Sequence, residues 1–116
     1  MRNFKTLEVW QLGMELTKSI YLQTAKLPQK EQFNLIAQLN KAAISIPSNI
    51  AEGCSRSSDR DFKRFLEIAM GSSFELETQL LLCKSLGYFQ ETESSISFEN
   101  LDRLQRKLNA FIQKIK

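Results

Sequence analysis

The chain has 116 residues, 42% of them hydrophobic, with a net charge of +3 and a pI near 9.0, a length that fits one domain spanning 1–116. It contains no histidine, which excludes Ser-His-Asp and Cys-His catalysis and removes the commonest metal ligand. No apolar run approaches the ~18 residues of a membrane span, and the opening Met-Arg-Asn-Phe-Lys-Thr-Leu-Glu lacks a signal peptide's apolar core, so a cytoplasmic protein without a membrane partner is expected. Cys54 and Cys83 follow no metal or redox spacing. Cys83 reads as a small core residue and Cys54 as a loop residue, both reduced. No metal and no cofactor are expected.

Strand-like alternation is absent, and the chain reads as four helices. The first is expected from about Thr6, as N-cap, to Lys26. Its apolar residues fall into two groups at ~100° per residue. Val9, Leu12, Leu16, Ile20 and Leu27 form one stripe; Leu7, Trp10, Met14 and Tyr21 form another. A helix in a monomeric bundle needs one stripe, so the second predicts contacts with further copies of the chain. Trp10 and Tyr21, at helical spacing beside Leu7 and Met14, read as packing rather than as a ligand box.

Leu27-Pro28 ends the first helix, and Pro28 suits the first position of the second. Ile36, Leu39, Ala43, Ile46 and Ile50 give that helix its buried face. Pro47 predicts a kink, and Gly53 is the expected C-terminal stop. Ser58, followed three residues on by Asp61, predicts the cap of a third helix running from about Asp59 to Leu86. Its stripe is Phe62, Leu66, Ala69, Ser73, Leu76, Leu80 and Cys83, closed by Gly87-Tyr88. Residues 90–97 read as a polar loop with Ser97 capping the fourth helix, whose seam is Leu101, Leu104, Leu108, Phe111 and Ile115. Short connections between long amphipathic helices predict an all-α, up-down-up-down four-helix bundle.

Within the second helix, Ser45, Asn49 and Glu52 stand at i, i+4 and i+7 on one face, and the third offers Ser72, Glu75 and Gln79. Two readings compete. In one, Glu52 and Glu75 form an acid–base pair or hold a hard cation. In the other, Ser45, Asn49, Glu52, Ser72 and Glu75 form a hydrogen-bonded network that sets helix register. The second is preferred, because no third carboxylate has ligand spacing and no Gly-rich phosphate loop accompanies the pair.

The cations cluster in two segments. Arg103, Arg106, Lys107 and Lys114 lie along the last helix, with no acid after Arg103, and Arg56, Arg60, Lys63 and Arg64 surround the second turn, diluted by Asp59 and Asp61. These are the candidate nucleic-acid contacts. Aromatics are not interleaved with them, so recognition through backbone and shape is expected rather than base stacking.

The run Ala42-Ala43-Ile44-Ser45-Ile46-Pro47-Ser48-Asn49-Ile50-Ala51-Glu52-Gly53 carries a family resemblance. It is accompanied by Leu7-Glu8-Val9-Trp10-Gln11, Leu27-Pro28, Gln38-Leu39, Glu75-Leu76-Glu77-Thr78-Gln79 and Leu86-Gly87-Tyr88. The chain resembles the four-helix-bundle family associated with intervening sequences of bacterial large-subunit ribosomal RNA genes. It departs from it at Asn40-Lys41, where members often carry more basic residues. The resemblance implies a cytoplasmic bundle assembled as a ring-like homopentamer. A related group is the accessory variability determinant protein of diversity-generating retroelements, which binds nucleic acid and a reverse transcriptase. Together these readings predict a non-enzymatic accessory protein contacting structured RNA or DNA through repeated basic surfaces, with a nucleic-acid-processing protein as a further candidate partner. A protein adaptor is the alternative and a carboxylate enzyme the remote one.

Overall fold

The computed structural model describes residues 2–115, without the side chain of Glu93. Four α-helices make up the fold: α1 (Glu8–Thr24), α2 (Ala37–Cys54), α3 (Asp59–Ser85) and α4 (Glu91–Lys114). No strand occurs among the described residues. Each helix runs antiparallel to the next. Thr17 of α1 meets Ala43 of α2, while Thr24 meets Asn40. Ser45 of α2 meets Ser72 of α3, and Gly53 faces Phe65. Phe62 of α3 stacks edge-on with Phe111 of α4, and Gln105 reaches back to Ser73 and Glu77. Finally α4 closes on α1, with Lys107 beside Glu8 at one end and Ser97 beside Gln23 at the other. The result is a bundle of 43 × 24 × 20 Å.

The core follows the helical period. All seven expected stripe residues of α3 are buried, from Phe62 to Cys83. The Ser58 hydroxyl accepts the Asp61 N–H at 3.1 Å and caps that helix. Gly87, at φ 77°, ends it: the Tyr88 N–H reaches the Cys83 carbonyl and the Gly87 N–H reaches Lys84, the paired bonds of a Schellman motif.

Several boundaries differ from the sequence expectation. Thr6 caps nothing; it closes a short 3-10 turn, Phe4–Thr6, and α1 begins after Leu7 with no side-chain cap. Pro28 precedes a 3-10 turn (Gln29–Glu31) and a π-helical turn (Gln32–Ile36), so α2 starts later than expected. Residues 90–97 are not a loop. The helix starts at Glu91, and Ser94 and Ser97 are buried within it. Their hydroxyls find partners: Gln23 Oε1 of α1 accepts the Ser97 O–H at 2.5 Å, and the Ser94 hydroxyl turns back to the Gln90 and Glu91 carbonyls. Beyond Leu108 the inward face of α4 drifts to include Ile112, with Phe111 and Ile115 only partly buried.

Gly53 is not a stop, because α2 continues to Cys54. A Cβ at Gly53 would stand 2.8 Å from the Phe65 Cβ and 3.2 Å from Phe62, so the glycine is there for close approach of α2 to α3. Cys54 is accordingly a core residue rather than a loop residue. Burial pushes both thiols up, Cys83 to about 11 with Glu31 adding to the effect.

Pro47 sits inside α2, buried. Lacking an N–H, it leaves the Ala43 carbonyl without its helical donor. Ala43 is fully buried, so water does not replace that donor. The Thr17 hydroxyl of α1 takes that place, its single proton shared between Ala43 O at 3.0 Å and Gly13 O at 2.8 Å. Gly13 lies against this contact: a Cβ there would meet Pro47 and Ile46 at 3.4 Å, an ordinary van der Waals distance.

Thr17→Val should therefore strand a buried carbonyl and destabilise the fold by about 1–3 kcal/mol in urea unfolding, whereas Thr17→Ser should retain most of the stability. Both thiols should be silent to a disulfide reagent in the native protein near pH 8 and react on adding denaturant. Fast native-state labelling would contradict their burial.

Candidate functional site

The two basic segments, far apart in sequence, meet at one end of the bundle. The antiparallel order puts the start of α1, the α2–α3 turn and the end of α4 together there. The Arg2 guanidinium donates to the Arg56 carbonyl at 3.0 Å and pairs with Asp59. Arg103 and Lys107 approach Glu8 at 3.8 and 3.6 Å. Arg106 pairs with Asp102 at 3.1 Å, and Arg56 lies 3.8 Å from Glu52. All of these except Arg2 are largely exposed pairs, worth a few tenths to one kcal/mol each, so another anion can replace the carboxylate at little cost. Arg60, Lys63 and Arg64 line a concavity on the first turns of α3 that also holds Asp61 and Glu67. Lys114 joins Lys107 and Glu8 along a cleft between α1 and α4.

Arg2 is the contributor that sequence reasoning missed. A lone arginine near the N-terminus carries no periodic signal; its role comes from the chain folding back onto the α2–α3 turn. Its guanidinium lies 4.2 Å from the Phe62 ring centroid, and that of Arg56 lies 4.6 Å from Phe65, within cation–π range.

The polar row is shorter than its sequence pattern. Ser45 and Ser72 hydroxyls are 2.8 Å apart, and the Asn49 amide donates to the Ser45 carbonyl at 2.7 Å and its hydroxyl at 2.9 Å. Glu52 and Glu75 stand outside it, both exposed. Gly53 faces Phe65, and Glu75 lies ten residues further along α3, about 15 Å at ~1.5 Å per residue. The two carboxylates thus occupy different levels of the bundle and do not share a site. Gln79, on the same row, has its Oε1 buried without a hydrogen-bond partner among the described residues. No cluster of three or more Cys, Asp and Glu suited to a metal ion occurs among the described residues, and no helix there is long and apolar enough to cross a membrane.

Of the residues expected at subunit contacts, Met14 and Tyr21 are about half exposed, while Leu7 and Trp10 are partly buried. Trp10 and Met14 face Ile44, Pro47 and Ala51 across an apolar groove between α1 and α2. On α3, Ile68, Phe74, Leu81 and Leu82 are also exposed.

Residues 5–110 match the model of the 23S rRNA-intervening sequence protein family. The chain belongs to that family. A protein of unknown function from the S23 ribosomal protein family of Bacteroides thetaiotaomicron VPI-5482 has the same fold, with a TM-score of 0.82 at 22% identity over 91% of this chain and 99% of that one. No curated protein matches the chain. For this member of the family, the basic end, the α1–α2 groove and the exposed apolar residues of α3 are surfaces whose chemistry exceeds what folding needs.

Asn49→Ala should cost about 1 kcal/mol, since Ser45 and Ser72 keep each other as partners. Glu52→Gln should change stability by less than about 0.5 kcal/mol. Chemical denaturation of the two variants checks both; a large loss at Glu52 would return it to the network.

Proposed function

We propose that the protein is a non-enzymatic binding subunit that assembles with copies of itself and holds structured RNA or DNA through its basic end. The observation that carries this reading is the convergence of Arg2, Lys5, the Arg56–Arg64 segment and the Arg103–Lys114 segment on one end of a 43 Å bundle. At the opposite end Lys84 pairs with Glu91 and Tyr88 donates to Glu31, so the cations there, Lys26 and Lys30 included, are fewer than at the basic end. The family's description ties it to 23S rRNA intervening sequences, which favours RNA as the ligand.

Assembly is supported by the apolar groove of α1 and α2 and the exposed apolar residues of α3. These surfaces lie on different helices of one chain. Joining one to the other is a head-to-tail contact, which closes into a ring when its rotation permits, and a pentamer is the ring expected. A ring repeats the basic end around its axis, and phosphate binding strengthens with the number of cations engaged. Those apolar surfaces also favour a second reading, an adaptor for another protein such as one that processes nucleic acid.

Titration of labelled structured RNA and duplex DNA at about 50 and 200 mM salt separates the readings. Nucleic-acid binding should weaken by orders of magnitude at the higher salt, and charge reversal at Arg103 and Lys107 should weaken it further. Sedimentation should show a species several times the 13.4 kDa of the chain. A monomer that fails to bind at the lower salt would overturn both parts.

A further inference from the structure

The run ending at Gly53 has a consequence beyond packing. Because Gly53 lets α2 close onto α3, Phe62 and Phe65 stand directly against the α2–α3 turn. Their rings are the platforms on which the guanidiniums of Arg2 and Arg56 rest, at 4.2 and 4.6 Å. Resting on a ring limits the rotamers of two otherwise flexible side chains. Arg2 is held further by the Arg56 carbonyl and by Asp59, and only 29% of its side chain is exposed. Between them lies a concavity lined by Arg2, Ser55, Arg56 and Ser57, about 480 Å³ in volume.

We infer that this concavity is a phosphate-binding pocket that takes a backbone phosphate of the nucleic acid. The inference rests on the proposed function and names where the polymer is gripped. Each guanidinium has five N–H donors. Arg2 uses one on Arg56 O and one on Asp59. Arg56 lies 3.8 Å from Glu52, too far for a hydrogen bond. Ser55 spends its hydroxyl proton on the Glu52 carbonyl at 2.6 Å, whereas the Ser57 hydroxyl has no partner among the described residues. The donors left over come from two fixed forks and one hydroxyl, which suits a tetrahedral oxyanion. Glu52 and Asp59 offset the two charges and steady the forks until an anion arrives; Glu52, exposed and loosely paired, is the one displaced. Arg60, Lys63 and Arg64 continue the cationic surface along α3. That continuation favours a phosphate within a polymer over a free one.

The test compares wild type, Arg2→Gln/Arg56→Gln, Ser57→Ala and a distant one-charge control, Lys30→Gln. The probe is a structured RNA hairpin read by fluorescence anisotropy across a salt series. In parallel, the shift in melting temperature is read on adding inorganic phosphate at constant ionic strength. The double variant should weaken RNA binding about tenfold or more and flatten the salt slope by about one, while Lys30→Gln stays within about twofold. Ser57→Ala should weaken binding about threefold; it answers the question should the arginine variants melt. RNA binding by wild type that the pocket variants leave unchanged overturns the pocket and spares the proposed function. A phosphate-dependent melting shift that needs the two arginines, without RNA binding, overturns the polymer as occupant together with the proposed function. Neither RNA binding nor a melting shift overturns both.

Discussion

A buried proline in the second helix is the constraint from which the rest follows. Pro47 removes a backbone donor in a place water cannot reach, and the Ala43 carbonyl it strands is satisfied by a hydroxyl from a different helix. An unsatisfied buried carbonyl costs on the order of 1–3 kcal/mol, so α2 is complete only when Thr17 of α1 lies over it. Gly13, one turn earlier, lies beside Ile46 and Pro47 at that level. The α1–α2 pairing is thus fixed at one level of the bundle by a polar contact that tolerates no slip, and the apolar stripes pack around it. A stripe alone is more permissive: leucines one turn apart are nearly equivalent, whereas a single orphaned carbonyl is not.

The same run fixes the other face of α2. Ser45 meets Ser72, and Gly53 admits Phe62 and Phe65 to the end of the helix. Once α1, α2 and α3 are held at these levels, the short connections bring the chain's start, its second turn and the end of α4 to one end of the bundle. Concentrating cations there costs repulsion, which Glu8, Asp59 and Asp102 partly offset. Exposed pairs of this kind hold side chains in place without committing them. A phosphate that brings its own charge and releases counterions exchanges for a carboxylate readily. The glycine that closes the core at the α2–α3 turn also sets the aromatic platforms for the arginines of the proposed pocket.

Much of the fold was legible in the sequence, for identifiable reasons. Helix α3 has seven apolar or small residues at the helical period, a Ser-x-x-Asp start and a Gly-Tyr end, and each signal points the same way. The start of α4 was hidden because Ser94 and Ser97 look like loop residues until Gln23 is known to face Ser97 and the Ser94 hydroxyl to turn back on its own helix. Gly53 looked like a stop because glycine has two uses, and only the 2.8 Å approach of Phe65 tells them apart. Glu52 and Glu75 looked like a pair because periodicity reports the face of a helix and is silent on axial level. The meeting of Arg56–Arg64 with Arg103–Lys114 follows from the expected up-down-up-down order, which puts the second turn and the end of the last helix at one end. Arg2 offered no pattern at all.

Lysine footprinting by mass spectrometry, with and without a structured RNA, tests the central claim that the basic end of the bundle is the working surface. Each lysine reports its own position, so one experiment surveys the whole molecule. Protection confined to Lys5, Lys63, Lys107 and Lys114, with Lys30 and Lys84 labelled equally in both states, is the predicted result. Protection spread evenly over both ends, or strongest at Lys30 and Lys84, would contradict it.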